Sequence, residues 1–377
     1  MLQGGVPIGK YFGIPVRLHW SWFIIFGLVT YFLAIDFHDL YHWSTATNWL
    51  IAATTSILFF ASVLAHELAH SRVAQAAGMQ VSAITLFIFG GVSQLTQEPG
   101  KPGTEFRMAI AGPATSLVLG GIFLATYFTT RDSIEPLAGM SFWLGYINLM
   151  LAAFNMIPGF PMDGGRVLRS ILWWRSDNLR RATRTASTIG RGFGYLFIFG
   201  GIFIIFEGLT HNQDYWTQGI WIAFVGWFLE NAAVGSYRQV ALQDMLRGHK
   251  ISELMTSDCQ VVSPRLTVAE LVNDHILTSG RRCFPVVEDG RALGMITMHN
   301  VKVVPREVWS SRSVREVMTP MDKLKWVRPD DDLSNAMQLL TDEDVNQLPV
   351  VENNNIVGMV ARDNLLAFIH TRAELGM

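Results

Sequence analysis

Cysteine is scarce in this 377-residue chain: Cys259 and Cys283 are the only two, at neither disulfide-framework nor metal-finger spacing. A disulfide scaffold and a cysteine-ligated metal are thereby excluded, and two free thiols fit a reducing compartment. Charge is scarce as well. Asp, Glu, Lys and Arg make up 16% of residues, against about a quarter in an ordinary soluble chain. The formal balance is −2, so there is no basic excess to neutralise phosphates, and nucleic acid is not an expected partner. The opening MLQGGVPIGKYFG lacks the charged-then-apolar pattern of a cleaved leader, so the first apolar span is expected to be retained.

What replaces the missing charge is hydrocarbon. Half of the residues are hydrophobic and the mean hydropathy is +0.27. Almost all of that excess precedes residue 240, whereas the chain from about Leu242 alternates charged and β-branched residues like a soluble domain. A helix needs about 20 apolar residues to cross a bilayer. Candidate spans are 19–36, 48–77, 106–128, 138–158, 190–208 and 217–236. Residues 6–19 mix β-branched residues with Gly and Pro and predict two short strands at a membrane surface. The segment ITLFIFGGVSQLTQEPG is too short to span and too apolar for an exposed loop. Its paired Gly90 and Gly91 predict a turn between two strands of a membrane-associated hairpin or a re-entrant segment. The sheet edge of that hairpin could pair with an extended substrate strand.

Lys and Arg placement sets orientation. The loop expected after the fourth span holds Arg166, Arg169, Arg175, Arg180, Arg181, Arg184 and Arg191, whereas 37–47 and 209–216 contain neither residue type. Six spans then place both termini, and everything after residue 240, in the cytoplasm. The expected fold class is therefore a polytopic α-helical membrane protein of about six spans, with small membrane-associated β elements and a cytosolic α/β module.

That module repeats itself. Pro264 matches Pro329, Pro285 matches Pro349, and Gly294 matches Gly358, at offsets of 64 or 65. Each unit reads strand, helix, strand PVV, turn, strand GMI or GMV, helix. A single period near 64 is a duplication and not a solenoid. It resembles a tandem pair of CBS domains, over 250–310 and 311–372, behind a membrane domain of residues 1–240.

Chemistry concentrates in ILFFASVLAHELAHSRVAQAAG, residues 57–78. His66 and His70 stand one helical turn apart on one face, with Glu67 beside them. Two imidazoles so spaced can grip one Zn²⁺, and the glutamate can reach water on the metal. Ionisable groups are costly at membrane depth without a function, which argues against a chance match. A third ligand is required from elsewhere. Asp163, in NMIPGFPMDGGRVLRS, follows two prolines that end the fourth span. Taken alone it fits better the cap of a helix beginning near Gly164.

Together the two motifs resemble the site-2 protease family of intramembrane zinc metalloproteases. That family pairs an HExxH helix with a later Asn-x-x-Pro-x-x-Pro-x-Asp-Gly motif, and Asn155, Pro158, Pro161, Asp163 and Gly164 all fall in register. GIPVRLHWSW, FGGV and AGPATS extend the likeness over about 8–236. The resemblance implies one Zn²⁺ on His66, His70 and Asp163, a catalytic Glu67, and Asn155 near bound substrate. The implied reaction is hydrolysis of peptide bonds within or near transmembrane segments of membrane proteins in the bilayer. Gly112 and Pro113 of AGPATS read as close helix packing. The competing reading is a CBS-regulated ion transporter or channel whose path Glu67, His66 and Asp163 would line.

Adenosine-binding CBS repeats place Thr or Ser three residues, and Asp six, after the glycine of the last strand. The first repeat offers Thr297 and Asn300; the second offers Ala361 and Asn364, with Asp363 one position early. An amide holds a ribose less strongly than a carboxylate. An adenine nucleotide touching Thr297, Asn300 and Asp363 therefore competes with a gating platform or homodimerisation as the role of the pair.

Overall fold

A computed structural model describes residues 5–88, 90–95, 99–210, 215–353 and 355–375. The chain divides into two compact units, residues 1–240 and 241–377.

In the first unit the long helices are α1 (Trp20–Tyr41), α2 (Thr45–Ala76), α3 (Pro102–Thr130), α4 (Glu135–Asn155) and α6 (Leu179–Thr210). These five are long and apolar enough to cross a membrane. Helix α5 (Asp163–Ser176) is shorter and amphipathic. The sixth expected span lies within α7 (Trp216–Leu246) but is not among the five, its apolar run being cut by Glu230 and Asn231. Local chemistry fixes several boundaries. The His19 ring accepts the Ser21 amide at 3.2 Å to start α1, the Ser44 hydroxyl accepts that of Thr47 to start α2, and Pro102 takes the first position of α3. Pro158 and Pro161 prevent α4 from running on into α5. The arginine-rich stretch 166–191, expected as a loop, is helical: it forms α5 and the first third of α6.

Both expected pairs of short strands are present. They make one sheet in the order β1 (Gly5–Tyr11), β2 (Ile14–His19), β3 (Val81–Phe87), β4 (Gly90–Leu95). β1–β2 and β3–β4 are antiparallel; β2 and β3 are parallel, with Val16 opposite Ile84 and Leu18 opposite Leu86. A parallel pair needs a long crossover, and here α1 and α2 supply it. Ile14, Val16 and Ile84 pack on Leu64 and Leu68, so the sheet lies against the part of α2 that carries the histidines. Gly90 and Gly91 lie inside β4 and not in a turn. For Gly91 the reason is proximity, since a Cβ there would overlap the Glu67 side chain, whereas Gly90 pairs with Phe87 at the start of the strand with φ at +122°.

In the second unit, β5 (Cys283–Glu288), β6 (Arg291–Thr297) and the short β7 (Thr319–Pro320) form one sheet, and β8 (Gln347–Glu352) with β9 (Asn355–Ala361) a second. The duplication is visible in detail. Val262 bridges Val286 in parallel as Val327 bridges Val350. The register shift at Val286/Val287 recurs at Val350/Val351. Each repeat has its own core, one around Leu271, Phe284 and Ile296, the other around Leu333, Leu348 and Val360.

Candidate metal centre

His66 and His70 are buried on one face of α2, at 3% and 6% exposure. Their Nε2 atoms are 3.1 Å apart, and each is 3.1 Å from Oδ2 of Asp163. The third group arrives from nearly a hundred residues away, at the first position of α5. The N-cap of that helix is Met162, with no side-chain cap bond, so Asp163 is not spent as the cap that local sequence allows. Its carboxylate points at the imidazoles instead.

What holds the rings is α3. Nδ1 of His70 lies 2.6 Å from the Met108 carbonyl oxygen, and Nδ1 of His66 lies 2.9 Å from the Ser116 hydroxyl. Midway between them, a Cβ on Gly112 would overlap Nε2 of both rings, coming within 2.5 Å of that of His66. Met108, Gly112 and Ser116 are spaced by four and form one face of α3. Gly112 was expected to permit helix packing; it does so where the neighbouring surface is the pair of imidazoles. Ser116 and the Met108 carbonyl were not singled out by sequence, because small residues at that spacing are common wherever helices pack.

A carbonyl can only accept, so Nδ1 of His70 carries a hydrogen; in the neutral ring this leaves the Nε2 lone pair facing inward. The Ser116 hydroxyl can donate or accept; where it accepts from Nδ1 of His66, two Nε2 lone pairs and a carboxylate oxygen face one another at 3.1 Å. Either a metal ion within that triangle or a proton on one of the ring nitrogens offsets the repulsion among these atoms. Tetrahedral ligands at 2.0–2.1 Å from Zn²⁺ are separated by about 3.3 Å, close to the spacing observed. Three such ligands would leave a fourth tetrahedral position open, as in hydrolytic zinc sites. Among the described residues, His66, His70 and Asp163 are the group of His, Cys, Asp and Glu side chains able to hold a metal ion.

Glu67 follows His66 on α2 and packs against Gly91 of β4. β4 is the terminal strand of its sheet, so its open edge runs beside the glutamate. Asn155 is the last residue of α4, and its amide donates to the Leu151 carbonyl at 3.0 Å. Its bonding partner is thus its own helix and not the histidine–aspartate trio.

In the second unit, Thr297 and Asn300 bond each other in a capping box at the start of the helix Met298–Val303, and the Asn300 amide donates to the Thr319 hydroxyl at 3.2 Å. Asp363 is exposed in the first turn of the helix Arg362–Glu374. A cleft of about 330 Å³ is lined instead by Cys259, Arg281, Cys283, Gln347, Ala361 and Asn364, among others. The Cys283 thiol of the first repeat donates to the Gln347 amide oxygen of the second. Burial pushes that thiol up to about 11, so it remains a hydrogen-bond donor at neutral pH.

Comparison with known proteins agrees with this geometry. Residues 54–201 match the model of peptidase family M50, and residues 251–304 and 314–371 match the CBS domain. A Synechocystis protein named as a zinc metalloprotease is 34% identical over 99% of this chain and 97% of its own length. Rip3 of Mycobacterium tuberculosis, named likewise, is 30% identical over 98% and 93%. Zinc metalloprotease MJ0392 of Methanocaldococcus jannaschii is 30% identical over 96% and 95%.

Proposed function

Because the chain belongs to the site-2 protease family of zinc metalloproteases, peptidase family M50, we propose that His66, His70 and Asp163 hold its zinc and that Glu67 is its acid–base residue. The protein is a membrane zinc metalloprotease with a CBS pair, and its substrates are membrane proteins; the transporter reading of the same polar residues is set aside. One observation supports the ligand assignment above all: three potential ligand atoms held at 3.1 Å from one another, two of them on rings whose orientation is set by α3.

Bound among those atoms, zinc would lower the pKa of water and polarise a peptide carbonyl. The chain's own groups do the rest. Glu67 accepts the proton of the attacking water and returns it to the leaving nitrogen. Met108 and Ser116 keep both Nε2 atoms aimed inward throughout. A helical substrate must unwind before its carbonyls are accessible, and the β4 edge beside Glu67 offers the extended segment a partner for its freed backbone groups. Asn155 lies where the chain leaves α4 toward Asp163, and its amide can turn from the Leu151 carbonyl to a substrate carbonyl.

The arginines of α5 and α6 support a multi-pass arrangement, α7 included as a crossing, with both termini and the CBS pair in the cytoplasm. Replacing Asp163 by Ala tests the ligand set: purified protein is expected to fall from one zinc per chain toward none while its helix content is retained. Unchanged zinc content would remove Asp163 from the site.

In the CBS pair we assign an adenine nucleotide to the cleft, with Asn364 at the ribose. AMP at about 100 times its Kd should then stabilise that domain by about 2.7 kcal/mol, read as a rise in unfolding temperature. No shift at millimolar AMP would leave the cleft without that role.

A further inference from the structure

Two charged side chains of the first unit are buried as deeply as its core. Glu105, in the first turn of α3, is fully buried, and Arg169, midway along α5, is 4% exposed. Arg169 donates through Nε to Oε1 of Glu105 at 2.6 Å and through Nη2 to the same oxygen. Arg166, a turn earlier on α5, brings its Nε to 4.0 Å of that oxygen. The Arg169 guanidinium also covers the Phe160 ring at 5.1 Å. Phe160 belongs to the segment between α4 and α5 that delivers Asp163.

The location of this pair gives it its meaning. Glu105 precedes Met108, the residue whose carbonyl sets the His70 ring, by three positions. Arg169 follows Asp163 by six on the same helix. One ion pair therefore joins the helix that orients the imidazoles to the helix that brings the carboxylate, while the same guanidinium holds the connecting segment through Phe160. An apolar contact would fill this space equally well but would tolerate sliding of α5 along α3. A planar guanidinium giving two charge-assisted hydrogen bonds to one buried carboxylate oxygen holds the two helices at a fixed separation.

We propose that Glu105 and Arg169 are a positioning pair that registers α5 against α3, so that Asp163 meets His66 and His70 in the spacing a metal requires. The inference rests on the reading of those three residues as zinc ligands. Neither Glu105 nor Arg169 touches substrate or metal; both act through Asp163.

The test uses the full chain in detergent. Zinc affinity is measured by competition with a chelator, alongside kcat and KM on a model membrane substrate and the unfolding temperature. Glu105→Gln, which keeps the shape and removes the charge, is expected to weaken zinc binding by about 10- to 100-fold, the usual effect of losing a group that orients a ligand. It should lower kcat and leave KM unchanged. Ser116→Ala, acting on His66 directly, gives the scale for comparison. Should Glu105→Gln fail to accumulate, Arg169→Lys, which keeps the charge and loses the fork, is read by the same criteria. A variant with a lower unfolding temperature but wild-type zinc affinity and kcat would overturn the proposal, leaving the pair a stability element only. If instead the Asp163→Ala control binds zinc as wild type does, it is the ligand assignment that fails.

Discussion

Replacing Glu67 by Gln is expected to leave one zinc bound per chain while slowing cleavage of a membrane substrate by about 10²- to 10⁴-fold, the range that a positioned acid–base group contributes. The two effects separate because Glu67 is not among the three groups that converge. Its side chain lies against Gly91 of β4, on the strand side of α2, whereas both imidazoles face α3. The amide of Gln is nearly the same size, so the packing at Gly91 is preserved and only the capacity to take a proton is lost. Zinc content by elemental analysis and a gel-based cleavage assay on the same preparation decide the matter. Cleavage at the wild-type rate would remove Glu67 from the reaction.

Gly112→Ala is expected to abolish both zinc binding and activity. The effect runs against intrinsic preference: Ala in a helix interior is favoured over Gly by about 1 kcal/mol, so α3 considered alone would gain. The loss arises because the added methyl would occupy the space of Nε2 of His70 and His66. The rings cannot retreat without giving up the Met108 carbonyl and the Ser116 hydroxyl, since each ring is held at its opposite nitrogen. Elemental zinc and the circular dichroism of the purified variant separate this outcome from misfolding. Helix content should match wild type with zinc absent. A zinc-replete Gly112→Ala would show that the imidazoles are not confined as described.

How much of this was legible in the chain depended on distance along it. The alignment of His66 with His70 is a property of four consecutive peptide units, and HELAH displays it directly. The CBS duplication was equally plain, because a repeat is its own internal standard. Asp163 was ambiguous for a physical reason. An acid before two glycines at a helix start suits the cap as well as a metal, and only packing of α5 across α3 decides between them. Gly90 and Gly91 were read together as a turn, yet both lie in β4: Gly90 opens the strand beside the turn with φ at +122°, and the small size of Gly91 answers to Glu67, more than twenty residues earlier. Arg169 was taken as one of a row of orientation signals. Its partner, Glu105, lies 64 residues before it, and no local pattern marks one arginine of seven as buried. Asn300, matched by position to a ribose ligand, bonds Thr297 and Thr319, since Asn beside Thr at a helix start satisfies the helix first.

The parallel pairing of β2 with β3 carries an implication for biogenesis. As the polypeptide leaves the ribosome, β1 and β2 emerge first and can form only a two-stranded ribbon, which is marginal in water by itself. The neighbour that completes them is synthesised only after α1 and α2. The four-stranded sheet, and with it the β4 edge proposed to receive substrate, therefore cannot form on a nascent fragment before the first two helices have been made.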